Sequence, residues 1–113
     1  MSAKIRCLVI LAALSAIPLI STGCSPGADE QRGQDLFDLH CALCHEMPTP
    51  DLKKQPPKLE GLFKKATLPS GAPATDQQVR KTIIEGIGTM PAFDQRLTSK
   101  DLDDLVKYLH IMK

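Results

Sequence analysis

Cys41-Ala42-Leu43-Cys44-His45 constrains the fold of this 113-residue chain more than any other stretch. Two thiols three positions apart lie on one side of a helical turn, and the histidine that follows is held at a fixed offset from both. One short segment therefore grips whatever these three side chains share, and the rest of the chain has to fold around it. The chain has four cysteines, enough for two disulfides. Cys7, however, lies in a leader: Lys4 and Arg6 make a short positive start, and residues 7–20 are apolar except for Ser15 and Pro18. That is the n-region and h-region of a secretory signal, assigned here to residues 1–23. As a membrane-spanning helix the run falls short of the roughly 20 apolar residues required, and Pro18 interrupts it.

Gly23-Cys24 resembles a bacterial lipoprotein cleavage site, where a small residue precedes the cysteine that is lipidated and becomes the new N-terminus. Ser21 departs from that pattern, since an aliphatic residue usually stands three places before the cysteine. The other reading is ordinary cleavage near Gly23 or Ala28. In either case the chain is exported, to the periplasmic side of a bacterial membrane, lipid-anchored through Cys24 or soluble after signal cleavage. Residues 24–30, small and polar, read as a flexible tether, and residues 31–113 as the folded domain. Cys41 and Cys44 are then the only cysteine pair within that domain.

The pair and its histidine match the haem-attachment pattern C-x-x-C-H. Each thiol forms a thioether with one of two vinyl groups on neighbouring pyrroles, and His45 is held beneath the iron, where a neutral imidazole suits either oxidation state. Two other uses of the pair fit less well. A thioredoxin-like motif sits in a βαβ unit, and no segment here alternates as a strand. A closed zinc site needs four nitrogen or sulfur ligands, and His40 and His110 lack the partner spacing. A six-coordinate iron needs a second axial ligand, and Met90 is the choice: it lies between Gly88 and Pro91 in a loop, because Pro91 biases it toward extended backbone. Met47 is too near His45 to reach the opposite face, and Met112 falls on the apolar stripe of the last helix. His40 and His110 read as surface residues, one of them being the other candidate for the iron in place of Met90.

The remaining chain reads as a small all-α domain of three to four helices. A first helix spans about residues 29–39, with Leu36, Phe37 and Leu39 apolar and Gly33 placed for a close helix crossing. Pro48, Pro50, Pro56 and Pro57 make the next stretch an extended loop. Residues 59–63 form a short turn, and 68–74 is loop again. Thr75 with Gln78 opens a helix through about Glu85, with Val79, Ile83, Ile84 and Ile87 on or near one face, and Gly86 and Gly88 end it. Thr98 with Asp101 opens the last, which carries Leu102, Leu105, Val106, Leu109 and Met112 at helical spacing. With one tyrosine, three phenylalanines and no tryptophan, about 90 residues can bury only a modest core, and a large apolar cofactor would fill it.

These positions together resemble the class I c-type cytochromes over nearly the whole mature length. The matches are Gly33 and Phe37, the motif itself, Pro57-Lys58-Leu59-Glu60-Gly61-Leu62, Gly88-Thr89-Met90-Pro91, and Leu105 with Tyr108. The resemblance implies one covalently attached haem c with its iron, and a crossing of Gly33 and Phe37 on Leu105 and Tyr108. It also implies that the Pro57 carbonyl, or that of Pro56, accepts a hydrogen bond from the second ring nitrogen of His45. No tryptophan is present to bond a haem propionate, and that role is left unassigned.

The expected function is single-electron transfer with His45 and Met90 as axial ligands, by a carrier or electron-transfer subunit rather than an enzyme. The alternative is a haem enzyme or gas sensor with an open iron position. Partners are redox proteins. Without Lys4 and Arg6 the 14 basic residues fall to 12 against 13 acidic ones, so nucleic acid is not indicated. Lys53, Lys54, Lys58, Lys64 and Lys65 form either a docking face for an acidic partner or a solvated loop.

Overall fold

The computed structural model describes residues 27–113, and the leader, Cys24 and the first part of the tether lie outside them. Four helices follow in order: α1 Ala28–His40, α2 Ala42–His45, α3 Asp76–Glu85 and α4 Ser99–Ile111, with a 3-10 turn at Leu62–Lys64 between α2 and α3. The described residues hold no strand, only isolated bridges between Thr67 and Pro73 and between Ile87 and Met90. The fold is all-α, as expected.

Helix α1 starts at Ala28, one residue ahead of the expected start near Asp29, and so includes Ala28, Asp29 and Glu30 of the expected tether. Local chemistry explains it. The Glu30 carboxylate accepts from the Gly27 backbone N–H at 3.3 Å, and two acidic residues in the first turn oppose the helix dipole. Asp29 is also clasped by Lys100 (3.0 Å) and Lys107 (2.7 Å) of α4. At the start of α4 the capping box is complete: Thr98 Oγ1 accepts from Asp101 N–H, and Asp101 accepts from Thr98 N–H at 2.9 Å. In α3 only the forward half forms, Gln78 N–H to Thr75 Oγ1 at 3.4 Å.

The crossing of α1 over α4 organises the molecule. Gly33 and Phe37, one turn apart, are the only buried residues of α1. A Cβ at Gly33 would collide with the Asp104 carbonyl oxygen and come within 2.8 Å of Tyr108 Cβ, so the backbones meet at closest approach there. Phe37 is fully buried, with its ring 5.6 Å from that of Tyr108, and Leu105 is buried beside them. The expected crossing is present. Val79 and Ile83 of α3, Leu102, Val106 and Leu109 of α4, and Leu62, Leu68 and Phe93 from the loops complete the core. Ile84 and Ile87 do not join it, remaining 40% and 53% exposed. Ile84 lies about 100° around the helix from Ile83, and Ile87 follows the end of α3.

One buried charge has no counterpart in the sequence reading. Asp104 is fully buried at the crossing, with Lys100 Nζ 2.6 Å from one carboxylate oxygen and Arg32 Nε 3.7 Å from the other. Arg32 also pairs with Asp101. The Arg32 contacts tie α1 to the first half of α4, while Lys100 and Asp104 pair within α4.

Two of the carboxylates set a pH response. Hydrogen bonds from Lys107 and Lys100 lower Asp29 to about 2, and those from the Thr98 hydroxyl and backbone lower Asp101 to about 2. A folded-state pKa below the unfolded value of 3.8 gives a contribution fully present above that value and lost as pH falls through the folded value. Thermal stability should therefore be level from about pH 5 to 7 in these two groups and fall between about pH 4 and 2. Melts across that range check it: Asp29→Asn should flatten part of the fall, and added salt should weaken it because Asp29 is solvent-exposed.

Candidate functional site

The Cys41–His45 segment follows directly from the α1 crossing. Cys41 N–H bonds to the carbonyl of the buried Phe37 at 2.8 Å, so the anchored ring fixes where the first thiol begins. Cys41 then turns the chain (φ −121°, ψ −41°) into the short helix α2, and His45 N–H bonds to the Cys41 carbonyl at 2.9 Å. The two thiols are free of any disulfide; Cys41 is half-buried and Cys44 exposed. Burial, with the neighbouring Cys44 second, pushes the Cys41 thiol up to about 11.

His45 has a defined tautomer. Its Nδ1 lies 2.7 Å from the Pro57 carbonyl oxygen, and a carbonyl only accepts, so Nδ1 carries the proton and donates it. The neutral ring then presents Nε2 with a free lone pair, the form that binds a metal. The partner is Pro57 rather than Pro56.

The loop that delivers Pro57 is built without a regular backbone ladder. Prolines supply no N–H, and side chains take over the bracing. The Gln55 amide donates to the carbonyls of Thr49 (2.7 Å) and Leu52 (3.1 Å), while its oxygen accepts from Thr49 N–H at 2.9 Å. The Lys58 ammonium bonds the Glu46 carbonyl and draws the end of the loop back to the end of α2. Lys58 therefore has an internal task. Lys53, Lys54, Lys64 and Lys65 remain exposed.

Met90 sits in a tight turn after α3. Ile87 and Met90 exchange backbone hydrogen bonds of 3.2 and 2.9 Å, with Gly88 at φ 57° between them. Phe93, buried in the core, donates its N–H to the Ile83 carbonyl at 3.1 Å and anchors the far end. Met90 is half-buried and packs against the same core as Cys41, Leu59 and Phe63. Met112 caps α4 and is buried, as its place on the stripe suggests.

The other two histidines are less solvated than a surface reading implies. His40 is half-buried, edge-on to Phe93 with centroids 5.9 Å apart. His110 is exposed but stacks on Phe63 at 3.8 Å, and its Nε2 lies 2.8 Å from an Asp76 oxygen. Arg80 pairs with Asp103 at 2.6 Å.

The sequence reading did not find Gln55, the Lys58 contact or Asp104. Asp104 had a visible sign, being four residues after Lys100, the spacing of an ion pair on one helix face. The Gln55 and Lys58 contacts depend on loop geometry, which no periodicity encodes.

As a donor set, the site offers two free thiols, an imidazole with a fixed free nitrogen and a thioether on a braced turn. Ile84 and Ile87, flanking that turn, are apolar surface without protein cover. This is the chemistry that a large, flat, apolar, iron-containing ring requires.

A profile of the family described as cytochrome c oxidase, cbb3-type, subunit III matches residues 28–109. Cytochrome c6 of Picosynechococcus sp. is 31% identical over 88 residues, covering 73% of this chain and 72% of its own length. Cytochrome c6 of Bumilleriopsis filiformis is also 31% identical over 88 residues, with 90% of its length covered and 73% of this chain. The cytochrome bc1 complex cytochrome c subunit of Mycobacterium tuberculosis is 32% identical over 93 residues, which is 81% of this chain but 30% of that longer protein. Among solved structures, cytochrome c6 from the diatom Phaeodactylum tricornutum matches with a TM-score of 0.53 and 24% identity, covering 74% of this chain and 92% of that one, a likeness of fold.

Proposed function

The chain belongs to the cytochrome c family, in the group described as cbb3-type oxidase subunit III, and on that footing we propose that it moves single electrons on the outer side of a bacterial membrane. Cys41 and Cys44 hold one haem c through thioethers, each S–H adding across one vinyl group. His45 Nε2 and Met90 Sδ would bind its iron. Once bound, the haem iron supplies the chemistry, cycling between ferric and ferrous and taking up or giving up one electron.

The protein's own part is to hold and tune. The Pro57 carbonyl fixes the His45 ring and, by accepting from Nδ1–H, makes Nε2 a stronger donor. The thioether is a soft, neutral ligand that favours the ferrous state and so raises the potential. The braced turn presents it without the entropy of a free loop. With an imidazole and a thioether both committed to the iron, the protein would leave it no open place for a substrate, which separates an electron-transfer role from catalysis or gas sensing. The contact of His45 Nδ1 with the Pro57 oxygen at 2.7 Å is the observation that carries this reading, because it leaves one nitrogen free and aims the ring.

The cytochrome c6 and bc1-subunit relatives support redox protein partners. Lys53, Lys54, Lys64 and Lys65, exposed beside the proline loop, form the surface on which an acidic partner docks. Attachment to the membrane is through a lipid on Cys24. Among the described residues no helix is long and apolar enough to cross a membrane.

The test is the absorption spectrum of the exported protein, oxidised and reduced. Sharp low-spin bands in the reduced protein and a weak ferric band near the red end, lost in Met90→Ala together with a fall in potential, are expected. A high-spin spectrum, or one that Met90→Ala leaves unchanged, moves the open-iron enzyme or sensor ahead.

A further inference from the structure

We propose that Gly86 is the positioning residue for the Met90 thioether: by having no side chain it lets the Met90–Ala92 backbone lie directly on the end of α3, and so sets how far Met90 reaches toward the iron. The inference rests on the assignment of Met90 as axial ligand.

Gly86 closes α3, its N–H bonding to the Thr82 carbonyl at 2.8 Å, and then adopts φ 72°, ψ 171°. That region is essentially confined to glycine. A Cβ there would lie 2.6 Å from the Met90 carbonyl oxygen and 2.9 Å from both Pro91 C and Ala92 N. All three are backbone atoms, so no side-chain rotation relieves the overlap. The crowded Met90 carbonyl is also the acceptor for Ile87 N–H at 3.2 Å, the bond that closes the turn. Phe93, three residues on, is held to Ile83. With both ends pinned, a side chain at 86 displaces the part that lies between them, which is Met90 itself.

Gly88 is a built-in control. It too has a positive φ, 57°, but a Cβ there would meet nothing within 4 Å. An alanine at 88 bears the strain of a left-handed backbone without pushing on Met90. An alanine at 86 does both. Iron–thioether bonds are weak enough for a small displacement of the sulfur to break them, leaving the rest of the fold in place.

The experiment compares four purified holoproteins, wild type, Gly86→Ala, Gly88→Ala and Met90→Ala, by the ferric red-end band, carbon monoxide binding to the reduced form, midpoint potential and far-ultraviolet circular dichroism. Wild type and Gly88→Ala should show the band and refuse carbon monoxide. Gly86→Ala should lose the band, bind carbon monoxide and drop in potential as Met90→Ala does, with helix content unchanged. Three results overturn the proposal: Gly86→Ala keeps the band and refuses carbon monoxide; Gly86→Ala loses its helices, so that the residue holds the fold and not the ligand; or Gly88→Ala loses the band equally, so that backbone freedom and not close approach is what matters. Absence of the band in the wild type itself defeats the Met90 assignment first, and this proposal with it.

Discussion

Replacing Cys41 and Cys44 together with alanine should leave a chain without a cooperative thermal transition. The described residues bury eleven apolar side chains in one cluster. For a domain of this size that is a thin core, and small domains usually need a covalent staple or a cofactor to fold. The haem supplies both: a large apolar body, and two bonds that keep it on the chain. Without the thioethers no covalent bond keeps the haem on the chain, and the apolar side chains that it would cover are left to water. The loss should exceed that of any single core truncation, which costs roughly 2–5 kcal/mol. Far-ultraviolet circular dichroism during heating checks it, and a sharp, native-like melt in the double variant would count against the cofactor's structural role. Cys44→Ala alone, which keeps the bond at the half-buried Cys41, should fall between.

The second large effect is at the helix crossing. Gly33→Val should destabilise the holoprotein by about 3 kcal/mol or more, at the upper end of overpacking effects. The atoms in the way are the Asp104 backbone and Tyr108 Cβ, neither of which rotates aside. The helices must separate, and separation also strips the Arg32 contact from a carboxylate that is fully buried. Valine would otherwise gain helix propensity over glycine by only a few tenths of a kcal/mol, too little to compensate. Denaturant titration is the measurement, with Gln34→Ala on the exposed side of α1 as a neighbour expected to stay within about 0.5 kcal/mol of wild type. Equal stability of Gly33→Val and Gln34→Ala would mean that the crossing is looser than it looks.

Much of this was legible in the residues. The motif named its own chemistry, Gly33 marked a place where another helix could cross closely, and the pairing of Gly33 and Phe37 with Leu105 and Tyr108 was expected from resemblance. Thr98 and Asp101 marked the start of α4 because their side chains satisfy each other's backbone donors. Legibility failed where the structure depends on groups far apart in sequence. The clasp of Lys100 and Lys107 on Asp29, in the first turn of α1, joins groups 71 and 78 residues apart. Ile84 and Ile87 looked like core by period alone, and the period does not reveal that the stripe facing α4 is only wide enough for Val79 and Ile83. Lys58 looked like surface charge and proved to be a strut. At the site, the His45 to Pro57 contact was expected from resemblance, whereas the role of Gly86 rests on the direction in which a missing Cβ would point.

The crossing of α1 and α4 also bears on timing. Its two halves lie near opposite ends of the described chain, so the segment bearing Cys41 and Cys44 has nothing to pack against until the last helix has been made and delivered. Closing so long a loop is entropically costly and is among the later steps of folding. Until the crossing forms, the thiols therefore stay on an open peptide, within reach of whatever chemistry joins them to the porphyrin. The burial that later covers Cys41 comes only after that need has passed. A topology that is slow to close keeps the attachment site open while it is needed.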